Sequence, residues 1–118
     1  MSKTIMCVDD EANLLKLYEH ELGEEGYQVI AAADGNTALA ALASNEIDLV
    51  VLDIRMGEFD GLQVLGEIRK NNPDLPVLLH SAYSTYKHDF QSWLANDYLV
   101  KSADLAELKA KIRELLSI

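Results

Sequence analysis

Five short apolar runs alternate along the chain with segments of helical periodicity, and this alternation limits the possible folds more than any other feature. The runs cover residues 4–8, 27–31, 49–52, 77–79 and 98–100. Most of them are apolar throughout and do not alternate with polar residues, which is typical of strands covered by helices on both faces. We therefore expect a parallel sheet between two helical layers.

Between these runs, apolar residues recur at the spacing of amphipathic helices. The pattern predicts five helices, around residues 14–22, 39–42, 62–68, 90–94 and 105–116. Turn residues separate the elements, as at Gly26, Asp34-Gly35 and Asn71-Asn72-Pro73. Five βα units with right-handed crossovers predict an α/β fold, a (βα)5 doubly wound five-stranded parallel sheet of the flavodoxin-like type, with strand order 2-1-3-4-5.

Chain length and net charge limit the number of domains and the kinds of binding partner. The chain has 118 residues, which predicts one domain over 1–118, and 20 acidic against 10 basic residues give a net charge of −10. Such a surface repels nucleic-acid backbone and anionic lipid, so we expect no direct contact with either. The single cysteine, Cys7, cannot form an internal disulfide, and no segment approaches the length of a membrane span, which predicts a cytoplasmic protein.

Chemically active residue types stand where the predicted strands end. Asp9 and Asp10 follow the first strand, Asp53 the third, Ser81 the fourth and Lys101 the fifth. In open α/β sheets, ligands bind outside the carboxyl ends of the strands. Three converging carboxylates require a cation, and hard oxygen ligands suit Mg²⁺. An ammonium and a hydroxyl beside a carboxylate nucleophile are the groups that phosphoryl transfer needs, and Asp53, alone on its strand, is the expected nucleophile.

The same residues belong to segments that resemble a known family. In order and spacing, these segments are similar to those of response-regulator receiver domains of two-component systems, the CheY-like family, and the resemblance spans essentially the whole chain. They are Val8-Asp9-Asp10-Glu11, Leu52-Asp53-Ile54-Arg55-Met56, Asp60-Gly61-Leu62, Ser81-Ala82 and Tyr98-Leu99-Val100-Lys101.

The resemblance implies a metal-assisted phosphoacceptor. It implies that Asp53 receives the phosphoryl group and that Asp10, Asp53 and the backbone carbonyl of Arg55 ligate Mg²⁺ or Mn²⁺. Asp9 would assist, often through water, and Lys101 would contact the phosphoryl group. The domain would then be no enzyme in the ordinary sense, since it assists only its own phosphotransfer and dephosphorylation.

It also implies a switch and partners. Ser81 would be the switch hydroxyl and Tyr98 its aromatic partner, and their movement would remodel the face built by the fourth helix, fifth strand and fifth helix. The implied partners are a sensor histidine kinase or histidine phosphotransfer protein and a downstream effector. The chain would be a monomer or a phosphorylation-dependent dimer.

Three departures from the family pattern affect the loops. Gly57-Glu58 stands where Pro-Gly is common, and Ser102 follows Lys101 where proline is usual. Because a non-proline cis bond costs about 3 kcal/mol, we expect the Lys101–Ser102 bond to be trans. Arg55 and Tyr83 occupy positions that vary among receivers and tune how fast the phosphoryl group is lost, so the sequence does not predict that lifetime.

Other interpretations stay open. An acidic pair after a strand is often only a helix cap, and the three histidines are expected to be structural or surface residues. A pseudo-receiver that docks without being phosphorylated fits the altered loop. A haloacid-dehalogenase-like phosphatase would need two aspartates separated by one residue, whereas Asp9 and Asp10 are adjacent. A flavin carrier would need a first loop that accepts phosphate, which this acidic loop would repel.

Overall fold

The structure, a computed structural model, describes residues 2–56, 59–82, 94–102 and 105–116, with the backbone alone at 55, 56 and 59. The predicted strands are all present within these ranges. The strands of the main sheet are β1 (Thr4–Val8), β2 (Gln28–Ala32), β3 (Leu49–Leu52), β6 (Val77–Ser81) and β7 (Asp97–Val100).

The main sheet has the predicted topology. Its strands pair in parallel in the order β2-β1-β3-β6-β7, which is the order 2-1-3-4-5 when the main strands alone are counted. The chain places β2 on one side of β1 and then β3 on the other side. The point where the strand order reverses therefore lies between the carboxyl ends of β1 and β3. The (βα)5-type doubly wound sheet is therefore confirmed, and the candidate site residues Asp9, Asp10 and Asp53 lie at its switch point.

Four helices lie within the described residues. They are α1 (Ala12–Glu24), α2 (Gly35–Ser44), α3 (Gly61–Asn71) and α4 (Ala106–Leu116). Two of them begin with aspartate caps, since the Asp34 carboxylate accepts a hydrogen bond from the Thr37 amide and that of Asp60 from the Leu62 amide. These helices match the first, second, third and fifth predicted ones; the predicted helix around 90–94 falls mostly outside the described residues.

A short antiparallel hairpin was not predicted. Strands β4 (Arg55–Met56) and β5 (Phe59–Asp60) pair between β3 and α3. Two-residue strands give too little periodicity to be recognised in sequence. The hairpin places the backbone of Arg55 directly after the Asp53-Ile54 turn.

The core consists of two apolar layers, one on each face of the sheet. Alternate residues of β1 enter different layers, Met6 and Val8 the layer beneath α2 and α3, Ile5 and Cys7 the layer beneath α1 and α4. Cys7 is fully buried, and burial raises the pKa of its thiol far above the ordinary range, so the side chain is a neutral part of the core. Within the described part of the chain, no helix is both long and apolar enough to cross a bilayer.

Candidate functional site

The first strand delivers the acidic pair to the sheet edge. The Asp9 amide donates to the Ala32 carbonyl (3.1 Å), and the Asp9 carboxylate accepts from the Glu11 amide (2.9 Å) at the start of α1. Asp9 is only 1% exposed, whereas the adjacent Asp10 is exposed. One carboxylate of the pair therefore lies inside the sheet end and the other faces solvent.

Asp53 directly follows the neighbouring strand β3. Its amide donates to the Val8 carbonyl (3.0 Å), which continues the pairing of β1 with β3 by one residue. Its own carboxylate accepts from the Ile54 amide (2.9 Å), and the residue is 6% exposed. These two bonds hold the carboxylate at the mouth of the site.

Gly61 lets α3 begin close against this turn. Its amide donates to the Ile54 carbonyl (2.6 Å), and an added Cβ would lie 1.9 Å from the Asp53 carbonyl oxygen. No side chain fits at that distance, so the glycine is required for packing rather than for an unusual backbone angle. Sequence reasoning included Gly61 in a motif without finding this role; only the contact between two backbones shows it.

Lys101 reaches the acidic residues from the far strand. Its amide donates to the Ser81 carbonyl (2.7 Å), which fixes the residue at the end of β7. Its ammonium lies 2.6 Å from Asp9 Oδ2 and 3.4 Å from Asp53 Oδ2. The peptide bonds of the described residues are all trans, including the predicted Lys101–Ser102 bond.

The three aspartates are arranged as cation ligands. Asp9, Asp10 and Asp53 each offer one carboxylate oxygen, and these oxygens lie within 4.8 Å of one another. Three carboxylates and one ammonium leave an excess of two negative charges, which a divalent ion balances. The donors are hard oxygens at a partly solvated edge, and such a set fits Mg²⁺, which usually keeps several waters.

Burial and charge act in opposite directions on Asp53 and Lys101. Burial raises the pKa of Asp53 to about 6, the charge of Asp9 adds to the rise, and Lys101 opposes it. For Lys101, burial disfavours the ammonium, but the hydrogen bond to Asp9 and the charge of Asp53 outweigh it, so its pKa is raised. At neutral pH the site therefore holds an ionised Asp53 and a charged lysine.

Ser81 and Tyr98 share a face of the sheet. Ser81 is fully buried at the end of β6, and Tyr98, 7% exposed, belongs to the core layer beneath α2 and α3. Leu79 pairs with Tyr98 and Ser81 with Val100, so the hydroxyl and the ring stand on neighbouring strands one pleat apart. Strand β7 and helix α4 of the predicted switch face are described. The part expected from the fourth helix, with Lys87, Phe90 and Trp93, lies outside the described residues, as do Gly57, Glu58 and Tyr83.

Sequence reasoning missed one polar contact beneath the site. His80, predicted only to be structural or a surface residue, is 3% exposed and forms a hydrogen bond through Nδ1 with the hydroxyl of Tyr18 on α1. Burial, reinforced by the charge of Lys101, lowers the pKa of His80 to about 4, although Asp9 opposes the shift. His80 is therefore neutral at pH 7. A histidine within an apolar strand was the available signal, but its partner 62 residues away was not visible in the sequence.

Comparison with known proteins decides the family. The sequence model of the response regulator receiver domain matches residues 5–113. The chain belongs to the response regulator receiver family. Receivers of this family are components of two-component systems.

Relatives and solved structures agree with this assignment. The probable transcriptional regulatory protein TcrX of Mycobacterium tuberculosis is 36% identical over 115 residues, which cover 96% of this chain and 49% of TcrX. The chain spans about half the length of the curated relatives it matches.

Among solved structures, TrrA of Thermotoga maritima in complex with Mg²⁺-BeF is 47% identical with a TM-score of 0.94, covering 97% of this chain and 99% of TrrA. TrrA in complex with the histidine kinase ThkA matches with a TM-score of 0.91 at 47% identity, over 97% of this chain and 98% of TrrA.

Proposed function

We propose that this receiver accepts a phosphoryl group on Asp53 with the help of a divalent cation and signals by a change of shape. The observation that carries the proposal is the convergence of three aspartates and Lys101, from β1, β3 and β7, at one sheet edge. A carboxylate nucleophile, an ammonium and a cation site together form the set that phosphoryl transfer requires.

In the transfer, a carboxylate oxygen of Asp53 forms a bond to phosphorus while the bond from phosphorus to a donor histidine nitrogen breaks. The bonding electron pair stays on that nitrogen. Because the pKa of Asp53 is about 6, the carboxylate is mostly ionised and nucleophilic at neutral pH. The Ile54 amide orients the carboxylate.

The proposed cation ligands are Asp9, Asp10, Asp53 and the backbone carbonyl of Arg55. Mg²⁺, or Mn²⁺, would neutralise the charge of the carboxylates and of the phosphoryl oxygens. TrrA, at 47% identity, is described in complex with Mg²⁺-BeF, which supports a Mg²⁺ site in this chain. Lys101 carries a second positive charge, 3.4 Å from the Asp53 carboxylate, where it can contact the transferred group.

The switch in this proposal consists of Ser81 and Tyr98. The phosphoryl oxygens would draw the Ser81 hydroxyl toward Asp53, and the Tyr98 ring would occupy the space behind it. The movement alters the face formed by β7, α4 and the segment around 90–94. It is a shift between two populated forms, which the phosphoryl group biases through its different contacts with each.

The partners follow from the family. The complex of TrrA with ThkA supports a sensor histidine kinase, or a histidine phosphotransfer protein, as the donor. Because the relatives are about twice as long and include transcriptional regulators, we propose a downstream effector protein or domain as the target. In this proposal the chain is one domain over 1–118 and acts in the cytoplasm as a monomer or phosphorylation-dependent dimer. It binds neither nucleic acid nor membrane. It is no enzyme beyond its own phosphotransfer and dephosphorylation.

Incubation with acetyl phosphate tests the proposal. In Mg²⁺, intact-protein mass spectrometry should show the gain of one phosphoryl group, and the gain should vanish with EDTA or with Asp53→Ala. Asp48→Ala, which removes a carboxylate that binds the Thr4 amide far from the site, should leave the gain intact. No gain in the wild-type protein supports the docking pseudo-receiver instead. Steady hydrolysis of a phosphate ester, lost in Asp9→Asn but kept in Asp53→Asn, supports the phosphatase.

A further inference from the structure

We propose that Tyr18 and His80 form a buried positioning pair that holds the acidic turn between β1 and α1 against the end of β6, and so sets how tightly the site binds Mg²⁺. The inference rests on the proposed cation site. It assigns a role to two residues outside that site, neither of which supplies a ligand.

The pair is a polar contact inside an apolar layer. The Tyr18 hydroxyl and His80 Nδ1 form a hydrogen bond, and the two rings lie 5.8 Å apart at an angle of 53°. Tyr18 is 1% exposed and His80 3% exposed, and Tyr18 packs among the apolar residues beneath α1 and α4. Because an unpaired polar group in such a layer costs free energy, each residue holds the other in place.

The hydrogen bond crosses two strand positions of the sheet. In the order β2-β1-β3-β6, the strand that carries His80 lies two places from β1, roughly 10 Å away at the usual strand spacing. Tyr18 belongs to the helix that follows β1 directly, so its side chain reaches over β3 to β6. The contact thus joins α1 to a strand that α1 does not flank in sequence.

Both ends of this contact lead to the site. On one side, α1 begins after Glu11, whose amide is held by the Asp9 carboxylate. On the other side, His80 precedes Ser81, whose carbonyl accepts from the Lys101 amide, and the Lys101 ammonium returns to Asp9. The contacts form a closed ring, and the Tyr18–His80 bond is the link that joins its two sides.

Tyr18 and His80 are both uncharged near the carboxylates of the site. A charged group beneath three carboxylates would alter the charge that attracts the cation, whereas the neutral imidazole of His80 and the protonated phenol of Tyr18 fix geometry and add no charge. Mg²⁺ demands near-ideal octahedral geometry, so small displacements of Asp9 and Asp10 relative to Asp53 weaken its binding. Loss of groups that orient metal ligands typically lowers metal affinity about 10- to 100-fold, and a more distant pair should have a smaller effect.

The test measures Mg²⁺ binding to the unphosphorylated protein by titration calorimetry. Tyr18→Phe keeps the ring and removes the hydroxyl, and we expect the dissociation constant to rise about three- to tenfold. His80→Leu should show the same rise. His80→Asn, which keeps a polar atom at the position of Nδ1, should restore binding to within about twofold of wild type.

Tyr27→Phe is the matched control, because Tyr27 packs against the same apolar layer just before β2. The Tyr27→Phe variant should bind Mg²⁺ as wild type does. The Mg²⁺ concentration for half-maximal phosphorylation should rise in Tyr18→Phe, with the rate at saturating Mg²⁺ unchanged. Tyr18→Phe is nearly isosteric, so it keeps the test open if His80→Leu does not fold. Unchanged affinity in Tyr18→Phe, or equal weakening in the leucine and asparagine variants, overturns the positioning role. A wild-type protein that binds no Mg²⁺ overturns the proposed function itself.

Discussion

The Lys101 ammonium lies closer to Asp9 than to Asp53, at 2.6 Å against 3.4 Å. The lysine is the residue expected to meet the phosphoryl group on Asp53, yet its shorter contact is with a carboxylate 92 residues away in sequence on another strand. Asp9 is almost completely buried, so the pair offsets the desolvation of a carboxylate inside the sheet end. Lys101 thus has a structural contact as well as its proposed role in transfer.

Lys101→Met should lower both the free energy of unfolding and the rate of phosphorylation, for two different reasons. Because it leaves the buried Asp9 charge without its partner, the free energy of unfolding in EDTA should fall by roughly 3 kcal/mol. Mg²⁺ should then raise the melting temperature more than it does in wild type. Phosphorylation by acetyl phosphate should slow about a hundredfold, because one stabilising charge is lost from the transition state.

The control for Lys101→Met is Lys109→Met, which removes an ammonium that pairs with Glu21 on α1 at 2.8 Å, away from the site. It should cost at most about 1 kcal/mol and leave phosphorylation unchanged. Equal slowing in both variants would show that overall charge, not the position of Lys101, controls the rate.

The raised pKa of Asp53 should appear in the pH dependence of stability. Its ordinary value is 3.8 and its folded value about 6, so between these pH values the folded state holds a proton that the unfolded state has released. The free energy of unfolding therefore falls as pH rises through this window, by roughly 3 kcal/mol from this group. In urea unfolding without divalent ions, Asp53→Asn should be about as stable as wild type near pH 4 and more stable near pH 7. A constant difference across the window would contradict the shift.

His80 should act in the opposite direction over nearly the same window. Its pKa falls from 6.5 to about 4, so the unfolded state binds the extra proton and stability is lost as pH falls from 6.5. The loss is on the order of 3 kcal/mol. Relative to wild type, His80→Asn should gain stability steadily as the pH is lowered from 6.5 to 4. In wild type, the effects of Asp53 and His80 on the free energy of unfolding largely cancel over this pH range. If the free energy of unfolding of Asp53→Asn does not fall as the pH is lowered, His80 titrates normally.

Two glycines of α3 should respond oppositely to alanine. Gly61→Ala would place a Cβ 1.9 Å from the Asp53 carbonyl oxygen and 2.7 Å from Ile54 Cα, whereas nothing lies within 4 Å of a Cβ at Gly66. Gly61→Ala should lower the free energy of unfolding by roughly 2 kcal/mol or more and slow phosphorylation, because the Asp53 turn must move. Gly66→Ala should raise the free energy of unfolding by about 0.5–1 kcal/mol through helix propensity. Wild-type stability in Gly61→Ala, measured by urea unfolding, would contradict this packing.

Arg69 should not be replaceable by lysine. Its guanidinium donates to the carbonyl of Leu94 (2.6 Å), to the carbonyl of Leu75 and to Asn96 Oδ1 (2.9 Å), and so joins the end of α3 to the segment before β7. A lysine cannot donate in three fixed directions, so Arg69→Lys should cost about 1–2 kcal/mol in urea unfolding. Lys70→Arg, at an exposed neighbouring position, should leave the free energy of unfolding unchanged. If Arg69→Lys also leaves it unchanged, the fixed directions of the guanidinium donors contribute nothing to stability.

The sequence predicted the sheet because its signal is local. Continuous apolar runs and helical periodicity identify buried strands and amphipathic helices from neighbouring residues, and chain connectivity then restricts the topology to a few arrangements. With the strand order known, residues at strand ends such as Asp9, Asp53 and Lys101 could be assigned to one edge. The structure brought those three together, and their roles in transfer stay predictions.

Sequence alone thus determined the layer architecture, the strand order and the set of polar residues at the carboxyl edge. Tertiary structure decided which carboxylate Lys101 contacts most closely, how near α3 approaches Asp53, and that His80 meets Tyr18. These depend on distances between atoms far apart in the chain, and packing sets such distances to a fraction of an ångström. Periodicity and motif spacing carry no information at that scale.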